Sequence, residues 1–244
     1  MATAKIEEYT GIVLQRIPQK EHDAMIRCLG ECGLFTFYSR GALKMGTSAG
    51  FSTQELTLGH YNLIVSTSGS LTLKEGRIGH FFQPGSGLEG LLVAQLCLEY
   101  CAKCLSEEDA SSLYPYLKGA LEGLQQGNDP YSVAVMFLAK ALSISGYGLE
   151  VGHCVNCGSK TNIVSMDIGR GGFLCGDCYF SLGGTAVDAD ELRIYRHAFR
   201  YPLEDLSRVI YPKIHAQAVL TALLRYFHDA TGQKLRALDP MLKH

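Results

Sequence analysis

Two Cys-x-x-Cys hooks, Cys154/Cys157 and Cys175/Cys178, stand in this chain with seventeen residues between Cys157 and Cys175. Each hook turns two sulfurs toward one point, and two hooks supply the four tetrahedral ligands that Zn²⁺ prefers, at metal–sulfur distances of about 2.3 Å. Gly158 after the first hook and Gly176 inside the second supply the backbone freedom of tight turns. A single hook would read equally as a redox dithiol, whereas two at this separation point to one structural Zn²⁺. Four sulfurs leave no open coordination position, so the site is expected to clip the protein together and not to react.

Other residue patterns suggest chemistry less specifically. Gly85-Ser86-Gly87-Leu88-Glu89-Gly90 has the form G-x-G-x-x-G after a strand and before a helix, a dinucleotide fingerprint in shape. The preceding strands read as a meander and no strand follows until the hook hairpin, so the βαβ unit that gives the motif meaning is missing, and the stretch reads as a linker. Cys97, Cys101 and Cys104 are spaced like an iron–sulfur signature, but they fall inside an apolar helix where three sulfurs cannot turn to one cluster. They read as buried small residues, as do Cys28 and Cys32 around the Gly30 turn. His22, His60, His80 and His215 are scattered singly, and no Walker loop, H-E-x-x-H or G-x-S-x-G occurs. Nothing assembles a nucleophile, a base and an orienting group.

The elements that must hold these residues come in a clear order. Tyr9–Leu14, Ala24–Leu29, Leu34–Ser39, Glu55–Ser66 and Ser70–Phe82 are rich in β-branched and aromatic residues, with a Thr67-Ser68-Gly69 hairpin turn between the last two. Five short antiparallel strands suit a small barrel of OB-fold type, and an SH3-like barrel fits nearly as well. From Leu88 to Gly148 the apolar spacing becomes helical: Leu88, Leu91, Leu92 and Leu96, then Leu113, Leu117, Leu121 and Leu124 with Pro115 in a first turn, then Val135, Leu138, Ala139 and Leu142. Asn162–Asp167 and Gly171–Leu174 form a hairpin between the hooks. Beyond them Asp188 caps a helix whose Arg193, Arg196 and Arg200 recur at i, i+3 and i+7, either a solvated face or a phosphate-contacting stripe. A last helix, Ile214–Ala230, stops at Gly232, and Gln233–Leu238 trails off with Lys234 and Arg236 exposed.

The reading is therefore an α+β chain: an N-terminal β-barrel over 1–82, a helical domain over 83–150, a four-Cys zinc finger over 151–184, and C-terminal helices over 185–244 that complete the helical domain. The 244 residues are 47% hydrophobic and 19% charged, those of an ordinary globular protein. Met1–Glu8 is charged, no apolar run has membrane length, and the nine cysteines are odd in number with four in the hooks, which together imply a cytoplasmic, reduced setting with no membrane partner. The net charge of −2 hides an acidic middle, −8 over residues 81–192, between ends of +1 and +5. Nucleic-acid binding is not advertised by the total, but both ends offer local positive surface.

Barrel, glycine linker, helices, clip and closing helices, in this order, resemble the RecO family of bacterial DNA repair and recombination mediators. The residues that carry the likeness are Gly11-Ile12-Val13-Leu14, Glu21 and Asp23, Gly33-Leu34-Phe35 through Arg40-Gly41-Ala42, Leu71-Thr72-Leu73-Lys74-Glu75, Phe137 with Leu142, Gly146-Tyr147-Gly148, Cys154-Val155-Asn156-Cys157-Gly158, Gly172-Phe173-Leu174-Cys175 and Gly232-Gln233-Lys234-Leu235. The resemblance implies a non-enzymatic, nucleoid-associated protein of the bacterial cytoplasm. It would bind single- and double-stranded DNA, anneal complementary strands, receive the acidic, hydrophobic C-terminal tail of the single-stranded DNA-binding protein SSB, and act with RecR to load RecA. With that role expected, the phosphate contacts are assigned to Arg40 and Lys44 in the barrel, beside the Arg-Gly pair that the resemblance covers, and to the evenly recurring Arg193, Arg196 and Arg200 of the closing helices, which rest on their helical spacing alone.

Two departures stand out. The family's dense Lys/Arg run after the Arg-Gly pair is reduced here to Arg40 and Lys44, followed by Met45, Gly46 and Thr47. An Arg that relatives place before the residue matching Phe137 is replaced by Val135 and Met136, leaving Lys140, one helical turn on, as the donor to a tail carboxylate. Two other function classes remain in view: a zinc-containing oxidoreductase using Gly85–Gly90 for a dinucleotide, and a zinc-clipped adaptor that binds only protein.

Overall fold

The structure is a computed structural model, described here for residues 5–202, 206 and 209–242; the first residues of the charged N-terminal segment and the last two of the chain lie outside the described set. Five strands, β1 (Lys5–Pro18), β2 (Ala24–Gly30), β3 (Gly33–Ser39), β4 (Thr57–Val65) and β5 (Leu71–Phe81), close into a barrel in the order β1-β2-β3-β5-β4. Neighbours are antiparallel except for β3 and β5, which meet in parallel at Tyr38 and Thr72. Alternation puts Val13, Ala24, Ile26, Cys28, Phe37, Tyr61 and Leu63 inside, and the Tyr61 hydroxyl finds the Ser52 carbonyl at 2.8 Å. A short helix, α1 (Ser48–Ser52), capped by the Thr47 hydroxyl, lies between β3 and β4. Its five residues are too few to carry a periodic signal in the sequence.

Three helices follow: α2 (Gly87–Lys103), α3 (Glu107–Gln125) and α4 (Pro130–Ile144). Every residue of α4 from Pro130 to Ala139 is buried, because α2, α3 and two later helices surround it. Truncating a side chain there, such as Phe137→Ala, costs about 3–5 kcal/mol. Two sequence expectations need correction. Pro115 lies in the interior of α3, not its first turn: Ser106 caps the helix, Glu107, Glu108 and Asp109 follow, and the carbonyl that Pro115 cannot serve belongs to Ser111, which faces solvent. Leu88 and Leu91, read as buried, are 66% and 43% exposed, since the core-facing stripe of α2 runs through Val93, Leu96, Cys97 and Tyr100.

The remaining elements are a two-stranded antiparallel sheet, β6 (Ile163–Asp167) and β7 (Gly172–Cys175), then α5 (Gly176–Leu182), α6 (Ala189–Arg200), α7 (Lys213–Thr231) and α8 (Asp239–Leu242). Gly232 ends α7 with φ of 70°. The segment after it does not trail off. Leu235 and Leu238 are buried, and the N–H groups of Arg236 and Ala237 both donate to Glu99 Oε2 at 2.9 Å, although Lys234 and Arg236 are exposed as expected. One apolar core runs without a break from Ile12, Leu14, Leu29 and Leu56 at the barrel end, through α2–α4, to Phe173, Ile194 and Leu223. Among the described residues no helix is long and apolar enough to cross a membrane.

The glycine-rich stretch sits where barrel meets helices, and it is a packing joint. Gly85 N–H donates to the Leu124 carbonyl at 2.8 Å, and a Cβ on Gly90 would fall 1.8 Å from the Gly85 carbonyl oxygen. Helix α2 leads into α3 and α4, and the next strands form a separate antiparallel pair, so the parallel strand needed beside a dinucleotide loop is absent among the described residues.

Candidate metal centre and cationic surfaces

The hairpin β6–β7 and the turn before it bring the two hooks face to face. Val155 N–H donates to the Phe173 carbonyl at 2.8 Å, which docks the first hook on β7. Gly158 adopts φ of 77° and donates to the Cys154 carbonyl at 2.9 Å, closing that hook. Cys175 ends β7 and caps α5, so Cys178 lies one helical turn further on the same side. The four sulfurs lie within 4.8 Å of one another, and Cys157 Sγ is 3.6 Å from Cys175 Sγ. Four sulfurs about 2.3 Å from one ion stand about 3.8 Å apart, so the arrangement fits a tetrahedral cation. Cys154, Cys175 and Cys178 are buried with Leu174, while Cys157 is exposed.

The surroundings treat the four thiols unequally. Burial opposes the Cys154 thiolate, but the backbone N–H groups of Cys175, Cys157 and Asn156 outweigh it and bring this thiol down to about 6. The Asn156 amide, 3.2 Å from Cys178 Sγ, favours the thiolate there too, yet burial and the neighbouring sulfurs push Cys178 up to about 12. Four like charges so close require a cation between them, and a coordinating metal removes the thiol protons outright. The donor set therefore could hold Zn²⁺, with Asn156 as a supporting donor that the hook pattern did not announce.

The remaining cysteines do not converge on such a site. Cys97 and Cys101 are buried in α2, and burial raises both thiols; Cys104, at the helix end, donates to Gln233 Oε1 at 3.0 Å. Cys28 lies inside the barrel and Cys32 outside it.

The arginines of α6 are not equivalent. Arg193 pairs with Asp190. Arg196 Nε donates to the Val151 carbonyl at 3.2 Å, and its guanidinium stands 5.4 Å from the centre of the Phe173 ring. Arg200 lies along Gly152, where a Cβ would approach its Nη2 to 2.1 Å. The stripe thus faces the segment leading into the first hook. All three side chains remain exposed, so phosphate contact and docking on the hook are compatible.

Arg40 and Lys44 lie in the loop between β3 and α1, both exposed. The barrel register brings further cations beside them. Because Pro18 of β1 pairs with Ala24 of β2, the turn carrying Lys20 reaches this same end, and both Lys20 and Arg40 act on the Asp23 carboxyl. Arg16 Nη1 donates to the Ala42 carbonyl at 3.2 Å. Sequence reasoning missed Arg16 and Lys20, for which the strand pairing would have been the signal.

Lys140 is enclosed. Its Nζ stands 5.2 Å and 4.9 Å from the ring centres of Tyr116 and Tyr201 and donates to the Tyr201 carbonyl at 3.3 Å, and burial lowers its pKa. A cavity of about 940 Å³ lies elsewhere, between α7 and the β6–β7 hairpin, and Met166, Ile168, Val187, Ala222 and Tyr226 line it with Arg225 at its edge.

The family model described as "Recombination protein O C terminal" matches residues 86–239. Among curated proteins, the DNA repair protein RecO of Bacillus subtilis (strain 168) is 26% identical over 246 residues, covering 96% of this chain and 95% of its own. The DNA repair protein RecO of Bacillus pumilus (strain SAFR-032) is 25% identical over 234 residues, covering 93% and 90%, and that of Frankia casuarinae is 27% identical over 197 residues, covering 78% and 80%. A family model that spans well over half of the sequence, through the helices and both cysteine hooks, shows that this chain belongs to the RecO family.

Proposed function

We propose that this chain is a DNA repair and recombination mediator, not an enzyme, that grips single- and double-stranded DNA, anneals complementary strands and acts with RecR to load RecA onto SSB-coated strands. The observation that carries the reading is the family match, supported by relatives named for DNA repair that align along more than nine-tenths of the chain. The barrel's strand order, with β3 parallel to β5, supports an OB-fold, whose outer face and loops take oligonucleotides. Helix α3 packs against β3 and β2 and covers the Gly30–Gly33 turn; Lys20, Arg40 and Lys44 crowd the opposite end. Arg193, Arg196 and Arg200 are a second, weaker phosphate surface.

Cys154, Cys157, Cys175 and Cys178 hold one Zn²⁺ in a structural role, in a finger over residues 151–184 between the helical segments 83–150 and 185–244, with the barrel over 1–82. For the SSB tail, the enclosure of Lys140 by two tyrosines makes it a weak receiver of a carboxylate. The 940 Å³ groove offers the apolar floor such a tail needs, while Arg225 at its edge already faces Asp229 at 3.8 Å and shares the lining with Asp167, so the groove would take the tail by its apolar side chains. The setting is the bacterial cytoplasm at the nucleoid. The packing role of Gly85 and Gly90 leaves the dinucleotide reading without a site.

The test is anisotropy of labelled oligonucleotides across a salt series, with and without an SSB tail peptide. Three barrel cations on single-strand phosphates predict a log–log slope of about −2 and a loss of roughly twentyfold between about 50 and 200 mM salt. Undetectable binding of either strand form at low salt would leave the protein-only adaptor as the reading.

A further inference from the structure

The loop from Arg40 to Thr47 is short of the cations that the family resemblance led one to expect, and what stands in their place is apolar. Met45 is 96% exposed, and Phe51, on the helix that follows, is 55% exposed. Single exposed apolar residues are ordinary on protein surfaces, but Met45 sits on a loop that is fastened at several points and leads straight into the helix that carries Phe51. Gly41 N–H donates to Asp23 Oδ1 at 2.9 Å, Leu43 N–H to the His22 carbonyl at 2.9 Å, and Arg16 to the Ala42 carbonyl at 3.2 Å. The Thr47 hydroxyl ties down the Gly41 and Lys44 carbonyls at 3.1 Å and 3.0 Å. Buried Ala42 and half-buried Leu43 anchor the loop, so Met45 is held in water by a rigid mount.

Lys44 precedes Met45 in the chain, and Lys20 and Arg40 both act on Asp23, which holds the loop at Gly41. Glu21, Asp23 and Glu55 are the neighbouring carboxylates, and two of them are engaged: Asp23 binds the Tyr38 hydroxyl and the Gly41 N–H, and Glu55 accepts the Arg16 N–H at 3.3 Å. An apolar point among cations fits a ligand that carries phosphate and also bares flat apolar faces. A single strand does so, whereas a duplex hides its bases and offers phosphate alone.

We infer that Met45 and Phe51 form a base-contacting tip that selects unpaired over paired strands. Phe51 supplies a stacking face, Met45 a wedge against the next base, and Lys20, Arg40 and Lys44 the phosphate contacts. The inference rests on the DNA-binding reading above and adds the discrimination that phosphate contacts alone cannot give.

The experiment compares the full chain with a Met45→Ala/Phe51→Ala double variant and an Arg40→Ala/Lys44→Ala double variant. All four side chains are at the surface or nearly so, and circular dichroism checks that the fold is kept. The probes are an oligonucleotide containing 2-aminopurine, a duplex of the same sequence, and vesicles of phosphatidylglycerol. The apolar variant is expected to lose about tenfold in single-strand affinity and the 2-aminopurine signal, with an unchanged salt slope and duplex binding within about twofold. The cation variant loses on both strand forms and flattens the slope. Equal losses of the apolar variant on both forms, or none, would overturn the inference while leaving DNA binding intact. Binding of the vesicles through Met45 in preference to the single strand would overturn it in favour of a lipid surface. If the unaltered chain binds neither strand form, both the inference and the reading beneath it fail.

Discussion

Arg196 is the residue whose replacement separates two roles that a cationic stripe conflates. Its Nε holds the Val151 carbonyl at 3.2 Å on the approach to the first hook, and its guanidinium covers the fully buried Phe173, 5.4 Å from the ring centre. Phe173 in turn binds Glu150 through its N–H, at 2.9 Å, and Val155 through its carbonyl, at 2.8 Å. The side chain therefore braces Cys154 from both sides. Cation–π contact at an exposed site contributes about 0.5–1 kcal/mol, and a hydrogen bond from a charged donor about 1.5 kcal/mol. Discounted for the exposure of Arg196, the sum lost in Arg196→Ala is about 1–2 kcal/mol, or roughly five- to thirtyfold in an equilibrium. Zinc-loaded protein titrated with a metallochromic chelator should surrender its metal at a chelator concentration lower by that factor. Arg196→Lys should recover part of the difference through the ring and none through Val151. An unchanged chelator midpoint and unchanged thermal midpoint in Arg196→Ala, with weaker oligonucleotide binding alone, would refute the bracing argument and return the residue to a solvated phosphate contact.

Two further outcomes follow from the geometry. The Tyr38 hydroxyl and the Gly41 N–H hold the Asp23 carboxyl below its usual 3.8, so this group contributes stability above that pH and loses it as pH falls through the depressed folded value. The thermal midpoint of the unaltered chain should exceed that of Asp23→Asn near neutrality, and the gap should close below pH 3.8; a gap constant with pH would show that the charge is not involved. Gly90→Ala forces a methyl to within 1.8 Å of the Gly85 carbonyl and should cost about 2–3 kcal/mol in denaturant unfolding, and a loss within about 0.5 kcal/mol would mean that the joint is loose.

The parts of this fold that were legible in the sequence are those where one local rule acts alone. Alternation located five strands within a few residues, and the hooks announced their own convergence, because two Cys-x-x-Cys turns joined by a hairpin can hardly face apart. What escaped depends on partners distant in sequence. Pro115 by itself argues for a helix start, yet the stronger cap at Ser106 and the burial of Leu113 and Leu117 carry the helix through it. The spacing of Leu88, Leu91, Leu92 and Leu96 announces the helix, but only its angular register against α3 and α4 decides which of these leucines face inward. Arg16 and Lys20 carry no pattern of their own, and only the closed barrel brings them to the Arg40–Lys44 loop. The α6 arginines were evenly spaced in sequence, and only the packing of β7 against α6 shows that Arg196 braces the hook while Arg193 pairs along its own helix.

The unbroken core that joins barrel strands to α2, α4 and α7 makes the molecule a template of fixed span. Ile12 and Leu14 share one close-packed interior with Val93, Leu96 and Phe173 of β7, so the strand-bearing end is tied through packed side chains to the hairpin that carries the second hook. Whatever is held at both ends is held at a set separation, so the molecule would act on a bound strand as a ruler does, by imposing a distance, and not as a clamp does, by closing.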